Sequence, residues 1–133
     1  MAANQVCAPR VHNRDRLQTA DIEFTSVDAF VKRSGVVPDL LKVDIDGYEG
    51  RFVEGALETM RSERPFVLLE VHKDKMMDRT PDSRKSIFER LFSLGYQVVL
   101  LSDHNNLTKN VVSKMSETSP ELTRQKTDQF LFY

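Results

Sequence analysis

The 133-residue chain carries 19 basic and 20 acidic side chains and a net charge of −1 with histidine neutral, so no strong field steers nucleic acid or a membrane surface toward it. Forty per cent of its residues are hydrophobic and 29% are charged, which is ordinary for one soluble globular domain with a real core. Its single cysteine, Cys7, excludes an intrachain disulfide framework and a cysteine-rich zinc site. No apolar run approaches the ~18–20 residues of a membrane span and the N-terminus has no apolar signal core, so the expected location is the cytoplasm.

Residues 1–20 show no periodicity, and 1–19 are expected to form a flexible arm ahead of a single α/β domain over 20–133. In the arm, Arg10, His12, Arg14 and Arg16 alternate with other residues in a weak basic stripe, read as a solvated face. Ile22 to Phe24 suggests a short strand. Thr25 and Asp28 form a capping-box variant opening a short helix through Val31, which Gly35 ends. Leu40 to Ile45 is the next expected strand, apolar apart from Lys42 and Asp44. A helix from Glu49 to Arg61 follows, with Phe52, Val53, Ala56, Leu57 and Met60 on one face. Phe66 to Val71 is a second nearly all-apolar strand. After a loop through Thr80, Pro81 and Asp82, a third helix runs to about Leu94, with Gly95 just past its end. Tyr96 to Leu101 is a third strand, Val111 and Val112 can pair locally, 113–127 is read as loop, and Gln129 to Tyr133 closes the chain as a last strand.

The order β-α-β-α-β, with two apolar strands, predicts a mostly parallel sheet with helices on both faces. In such sheets ligands bind beyond the carboxyl ends of the strands. Asp44, Asp46 and Glu49 cluster around Gly47 at one such end, and Glu70 and His72 lie at another. Neighbouring strands are ~4.8 Å apart, so if these two are adjacent, Asp44, Asp46, Glu70 and His72 converge on one rim. There an acid or His72 could take a proton from a substrate hydroxyl. The carboxylates could instead hold a divalent cation or a cationic cofactor group. Simpler readings stand beside these. Asp46 can be the N-cap of a turn before the helix, Glu49 a first-turn partner of the helix dipole, Lys42 a snorkelling surface lysine, and Tyr48 a ligand cover or a packing residue.

Asp44 to Glu49 is not an EF-hand loop. With Asp44 first, Glu49 stands at the position needing glycine and Gly55 at the position needing glutamate. No G-x-G or phosphate-binding loop occurs among the five glycines. The strand followed by Asp44-Ile45-Asp46-Gly47 looks like the nucleophile motif of haloacid-dehalogenase-like phosphatases, with Asp44 as nucleophile. However, Tyr48 stands where that family has Thr or Val, and its later acidic pair is not found. Asp-Ile-Asp also matches the short motif of metal-dependent glycosyltransferases, too few residues to weigh.

A resemblance covering more of the chain carries further. Lys42 to Glu49, Lys-Val-Asp-Ile-Asp-Gly-Tyr-Glu, resembles the K-I-D-V-E-G-x-E segment of FkbM-type methyltransferases. Thr25 to Phe30, Pro38 to Lys42, Glu54 to Ala56, and Arg64 to His72 (Arg-Pro-Phe-Val-Leu-Leu-Glu-Val-His) are similar to that family's segments in the same order, as are Leu94 to Tyr96 and the closing Phe130 to Phe132. The resemblance runs from about residue 20 to 133. It implies a partial class I methyltransferase (Rossmann-like) fold with an antiparallel closing strand, S-adenosylmethionine as donor, and O-methylation of a small hydroxyl-bearing acceptor. Under it, Asp44, Glu70 and His72 are the catalytic candidates, and Lys42, Asp46, Tyr48 and Glu49 line the substrate. No residue is assigned to a resident metal. Asp46 stands where glutamate is commoner. The glycine-rich cofactor loop should precede this segment and residues 1–19 do not supply it. The chain is therefore expected to correspond to the C-terminal half of such an enzyme, inactive alone. Two other readings are a half-domain that dimerises through an exposed sheet edge and the phosphatase.

Overall fold

A computed structural model describes residues 24–76, 82–101 and 112–133. The basic stripe, Ile22, Thr80, Pro81 and Val111 fall outside them. Helix α1 spans Val27–Ser34. Its N-cap is Ser26, whose hydroxyl accepts the Ala29 N–H at 3.1 Å, rather than Thr25. Gly35, at φ 71°, ends it in the left-handed region that glycine adopts without strain.

Strand β1 is Leu40–Val43, shorter than the expected run to Ile45. The single helix expected from Glu49 to Arg61 is two, α2 (Glu49–Glu54) and α3 (Leu57–Ser62). The break at Gly55–Ala56 has a tertiary cause. The Asp28 carboxylate accepts the N–H groups of Glu58 and Thr59 at 3.1 and 2.8 Å, and the Asp28 N–H donates to Gly55 O at 2.9 Å. Asp28 thus caps α3 instead of closing a capping box on its own helix.

Strand β2 is Phe66–Val71, as the apolar run predicts. Helix α4 spans Arg84–Ser93 and opens on a reciprocal cap between Ser83 and Ser86. Strand β3 is Val98–Leu101 and begins after Tyr96. Tyr96 is buried, and its hydroxyl donates to Pro65 O at 2.9 Å. Burial raises the Tyr96 pKa, and the Arg64 guanidinium over its ring counters that. Part of the expected 113–127 loop is strand β4 (Val112–Met115), and Pro120–Leu122 forms a 3-10 turn. Strand β5 is Asp128–Phe132.

The sheet order is β1-β2-β5-β3-β4. Only β1 and β2 pair in parallel, whereas β2–β5, β5–β3 and β3–β4 are antiparallel. The mostly parallel sheet is therefore corrected to a mixed, mostly antiparallel one. β1, β2 and β3 do run in the same direction. β5 inserts between β2 and β3, reversed to both, and removes the second parallel pairing. Its central place suits its residues, since Phe130 and Phe132 are fully buried. The ring of Phe88 meets that of Phe130 edge-on at 4.9 Å, a favoured aromatic geometry.

Helices on both faces are also not what the described residues show. One face, carrying Val43, Val67, Leu69, Val98, Phe130 and Phe132, is buried against Val53, Met60, Ile87, Phe88 and Leu91 of the helices. On the other face Leu40 and Phe66 are 56% and 52% exposed, and Leu68, Val99, Leu101 and Leu131 are half-buried. The apolar runs that suggested two covered faces have one covered face and one partly open.

Candidate functional site

The parallel register Val43↔Leu69 places the carboxyl ends of β1 and β2 side by side. Asp44 follows β1 directly, Glu70 lies near the end of β2, and His72 follows it. Donor atoms of Asp44, Glu70 and His72 all lie within 4.8 Å of one another. Asp46 joins them, with Oδ1 3.5 Å from His72 Nε2. The four side chains gathered from two strand ends do converge.

Beyond β1 the chain takes a tight turn through Asp46 and Gly47, at φ 49° and 97°. Aspartate is among the few non-glycine residues that visit this region routinely. The turn keeps the Asp46 side chain 86% exposed and does not make it the N-cap. The cap position is Tyr48, without a side-chain cap bond. Glu49 reaches back instead, its Oε1 accepting the Gly47 N–H at 3.0 Å.

That same oxygen lies 2.7 Å from His72 Nδ1. Because Oε1 already accepts one hydrogen, the shorter contact is read as His72 Nδ1–H donating to it. In the neutral imidazole this leaves Nε2 with a lone pair toward the rim, 3.8 Å from Glu70 Oε1. His72 is 4% exposed and Glu49 fully buried. Glu49 Oε2 is buried with no hydrogen-bond partner. Glu49, grouped above with the substrate-lining residues, stands behind the imidazole rather than on the surface a substrate would meet.

Lys42 reaches Asp44 at 3.9 Å, with side chains 61% and 47% exposed, a loose pair of small energetic weight. Tyr48 is half-buried and lines a cleft of about 570 Å³ with Phe24, Ile45, Asp46 and Phe52. That volume is in the range of small-molecule sites, and Asp46 belongs to both cleft and rim. Sequence reasoning did not find Gln129, 8% exposed and opposite Glu70 in the ladder. Only the insertion of β5 brings it there, and no local pattern announces that.

Together these features define a mixed α/β domain with polar side chains gathered at the carboxyl ends of its parallel strand pair, where α/β folds bind small molecules. A family model for the methyltransferase FkbM domain matches residues 4–98. The match covers more than half of the chain, and the chain belongs to that family. It takes in residues 4–19 and ends at the first residue of β3. No curated relative and no solved structure matches the chain. No helix among the described residues is long and apolar enough to cross a membrane.

Proposed function

We propose that this chain forms the acceptor-binding side of an S-adenosylmethionine-dependent O-methyltransferase. The observation that carries the reading is the convergence of Asp44, Glu70 and His72 on one rim, with His72 held by a buried carboxylate. In this reading the acceptor occupies the cleft beside Tyr48, and its hydroxyl points at the rim. His72 Nε2 takes the hydroxyl proton, Asp44 and Glu70 orient the oxygen, and Glu49 keeps the imidazole in the accepting tautomer. The protein contributes chiefly proximity and orientation.

The described residues do not fit the methyl donor. They hold no glycine-rich strand–loop–helix turn. The two glycines nearest the rim are otherwise committed: the Gly47 N–H donates to Glu49, and a Cβ on Gly50 would run into the Asp82 carboxylate. Amide NMR of the 133-residue chain tests the assignment. Hydroxylated small molecules are expected to shift Asp46, Tyr48, Glu70 and His72, and S-adenosylmethionine to leave the spectrum unmoved. Micromolar, saturable S-adenosylmethionine binding, or acceptor shifts confined elsewhere, would overturn it.

A second reading, a half-domain that assembles with a second copy, is favoured by the outer edge of β1. Among the described residues β1 pairs only with β2, and unpaired edges template strand addition. A strictly monomeric chain in sedimentation across a wide concentration range would remove that reading.

A further inference from the structure

We infer that the rim binds a divalent first-row cation, ligated by His72 Nε2, Asp44 and Glu70. Three observations lead there. The first is the donor set, one imidazole and two carboxylates within 4.8 Å of one another. Bonds of ~2.0–2.2 Å to one ion put neighbouring donors about 3–3.6 Å apart, so the site closes when the exposed Asp44 side chain moves by about 1–2 Å and Glu70 by less. The second is the support behind the histidine. A ligating imidazole characteristically donates its other N–H to a carboxylate, which fixes tautomer and ring direction. Glu49 does this at 2.7 Å, with both partners buried.

The third is charge. Four carboxylates, Asp44, Asp46, Glu49 and Glu70, surround one imidazole. The lysine near them, Lys42, sits 3.9 Å from Asp44 and is mostly exposed. A buried carboxylate with an unpartnered oxygen, Glu49 Oε2, is costly unless positive charge lies close. A cation at Nε2 supplies it through the imidazole. Imidazole favours zinc-like ions and carboxylates favour manganese and magnesium, so this mixed set selects Zn²⁺ or Mn²⁺ over Mg²⁺. The remaining coordination positions face the exposed side of Asp44 and Asp46, where an acceptor oxygen could replace water. That last role rests on the methyltransferase reading and would change one part of it. With Nε2 on the cation, the ion would make the acceptor hydroxyl more acidic, and Asp46, outside the ligand set, would take its proton in place of His72. The site itself does not rest on that reading.

The test is calorimetric titration of the 133-residue chain with Mn²⁺, Zn²⁺ and Mg²⁺, with no methyl donor or acceptor present. One saturable site below about 1 mM is expected for Mn²⁺ and Zn²⁺, with Mg²⁺ weaker. Glu70→Gln and Asp44→Asn are expected to weaken it at least ~10-fold, and Lys42→Ala to leave it equal or tighter. On Zn²⁺ addition the His72 Nε2 resonance is expected to move. Should His72→Gln not fold, the two carboxylate variants, both at partly exposed positions, decide the matter. Absence of saturable Mn²⁺ and Zn²⁺ binding would overturn the inference, as would binding that Glu70→Gln leaves unchanged. Neither result bears on acceptor binding, so the two readings fail separately.

Discussion

Two buried charged constellations lie at the ends of β2 and its neighbours, and they are built to opposite standards. At one, Arg84 is fully buried and Asp128 is 5% exposed. Arg84 bonds Asp128 Oδ2 at 2.9 Å, Val71 O at 3.0 Å, Glu121 O at 3.2 Å and Lys126 O. Burial lowers the Arg84 pKa and Asp128 raises it. Asp128 also accepts from Arg124, and that hydrogen bond raises the Arg124 pKa. At the other, Glu49 and His72 are as deeply buried, yet Glu49 Oε2 has no partner and His72 Nε2 faces only carboxylate oxygens. A fully satisfied network ties a fold together. A half-satisfied one, open on a surface rim, is left for something else to complete.

The largest effect expected is at the satisfied network. Arg84→Met removes the guanidinium and leaves Asp128 and three carbonyls without it. Breaking a buried pair from one side costs about 3–5 kcal/mol, read as a loss of stability in urea unfolding. Because Arg84 also serves Val71, Glu121 and Lys126, Arg84→Met with Asp128→Leu should recover only part of that. Full recovery by the double variant would reduce the network to a simple ion pair.

The two constellations were unequally visible in the sequence. Asp44, Glu70 and His72 lie at the ends of apolar runs, and a strand end is a place where a ligand site is expected, so those positions stood out. Arg84 did not. It opens a helix after Ser83, where a basic residue reads as solvated, and its partner is 44 positions away. The same limit applies to the sheet. The apolar run locates β2 to the residue, but the insertion of β5 between β2 and β3 depends on long-range packing of Phe130 and Phe132 against Phe88. The break between α2 and α3 depends on Asp28, thirty residues from Glu58, and local helical periodicity runs straight through it.

Between the two constellations, α2 must approach α4 closely, and Gly50 permits it. Its Cβ position is occupied by the Asp82 side chain, which is itself held by Arg90 at 2.9 Å. Gly50→Ala should destabilise by about 1–3 kcal/mol through overpacking. It should also disturb the turn that places Glu49 behind His72, visible as a shifted His72 side-chain resonance. Loss of stability without that shift would uncouple helix docking from the rim.

A smaller effect is expected where α1 is joined to α3. Asp28→Ala removes the acceptor for two N–H groups and should cost about 1 kcal/mol, with faster amide exchange at Glu58 and Thr59. The rim residues should keep their resonances, since the cap lies on the helical side of the sheet. Movement at His72 would mean that the cleft wall and the rim are one cooperative unit.

The sharpest division between the two constellations comes from the smallest expected change in stability. In Glu49→Gln the side-chain carbonyl can still accept the Gly47 N–H and the His72 Nδ1–H, while the buried charge disappears. The gain from removing that charge is offset by the new NH₂ group, which needs an acceptor of its own. Unfolding free energy should therefore stay within about 1 kcal/mol of the parent. Mn²⁺ affinity should fall ~10–100-fold, the usual consequence of altering the group behind a ligating histidine. If Glu49→Gln instead destabilised the chain as much as Arg84→Met, with no selective loss of cation binding, Glu49 and His72 would be a structural pair like Arg84 and Asp128, and the contrast between them would vanish.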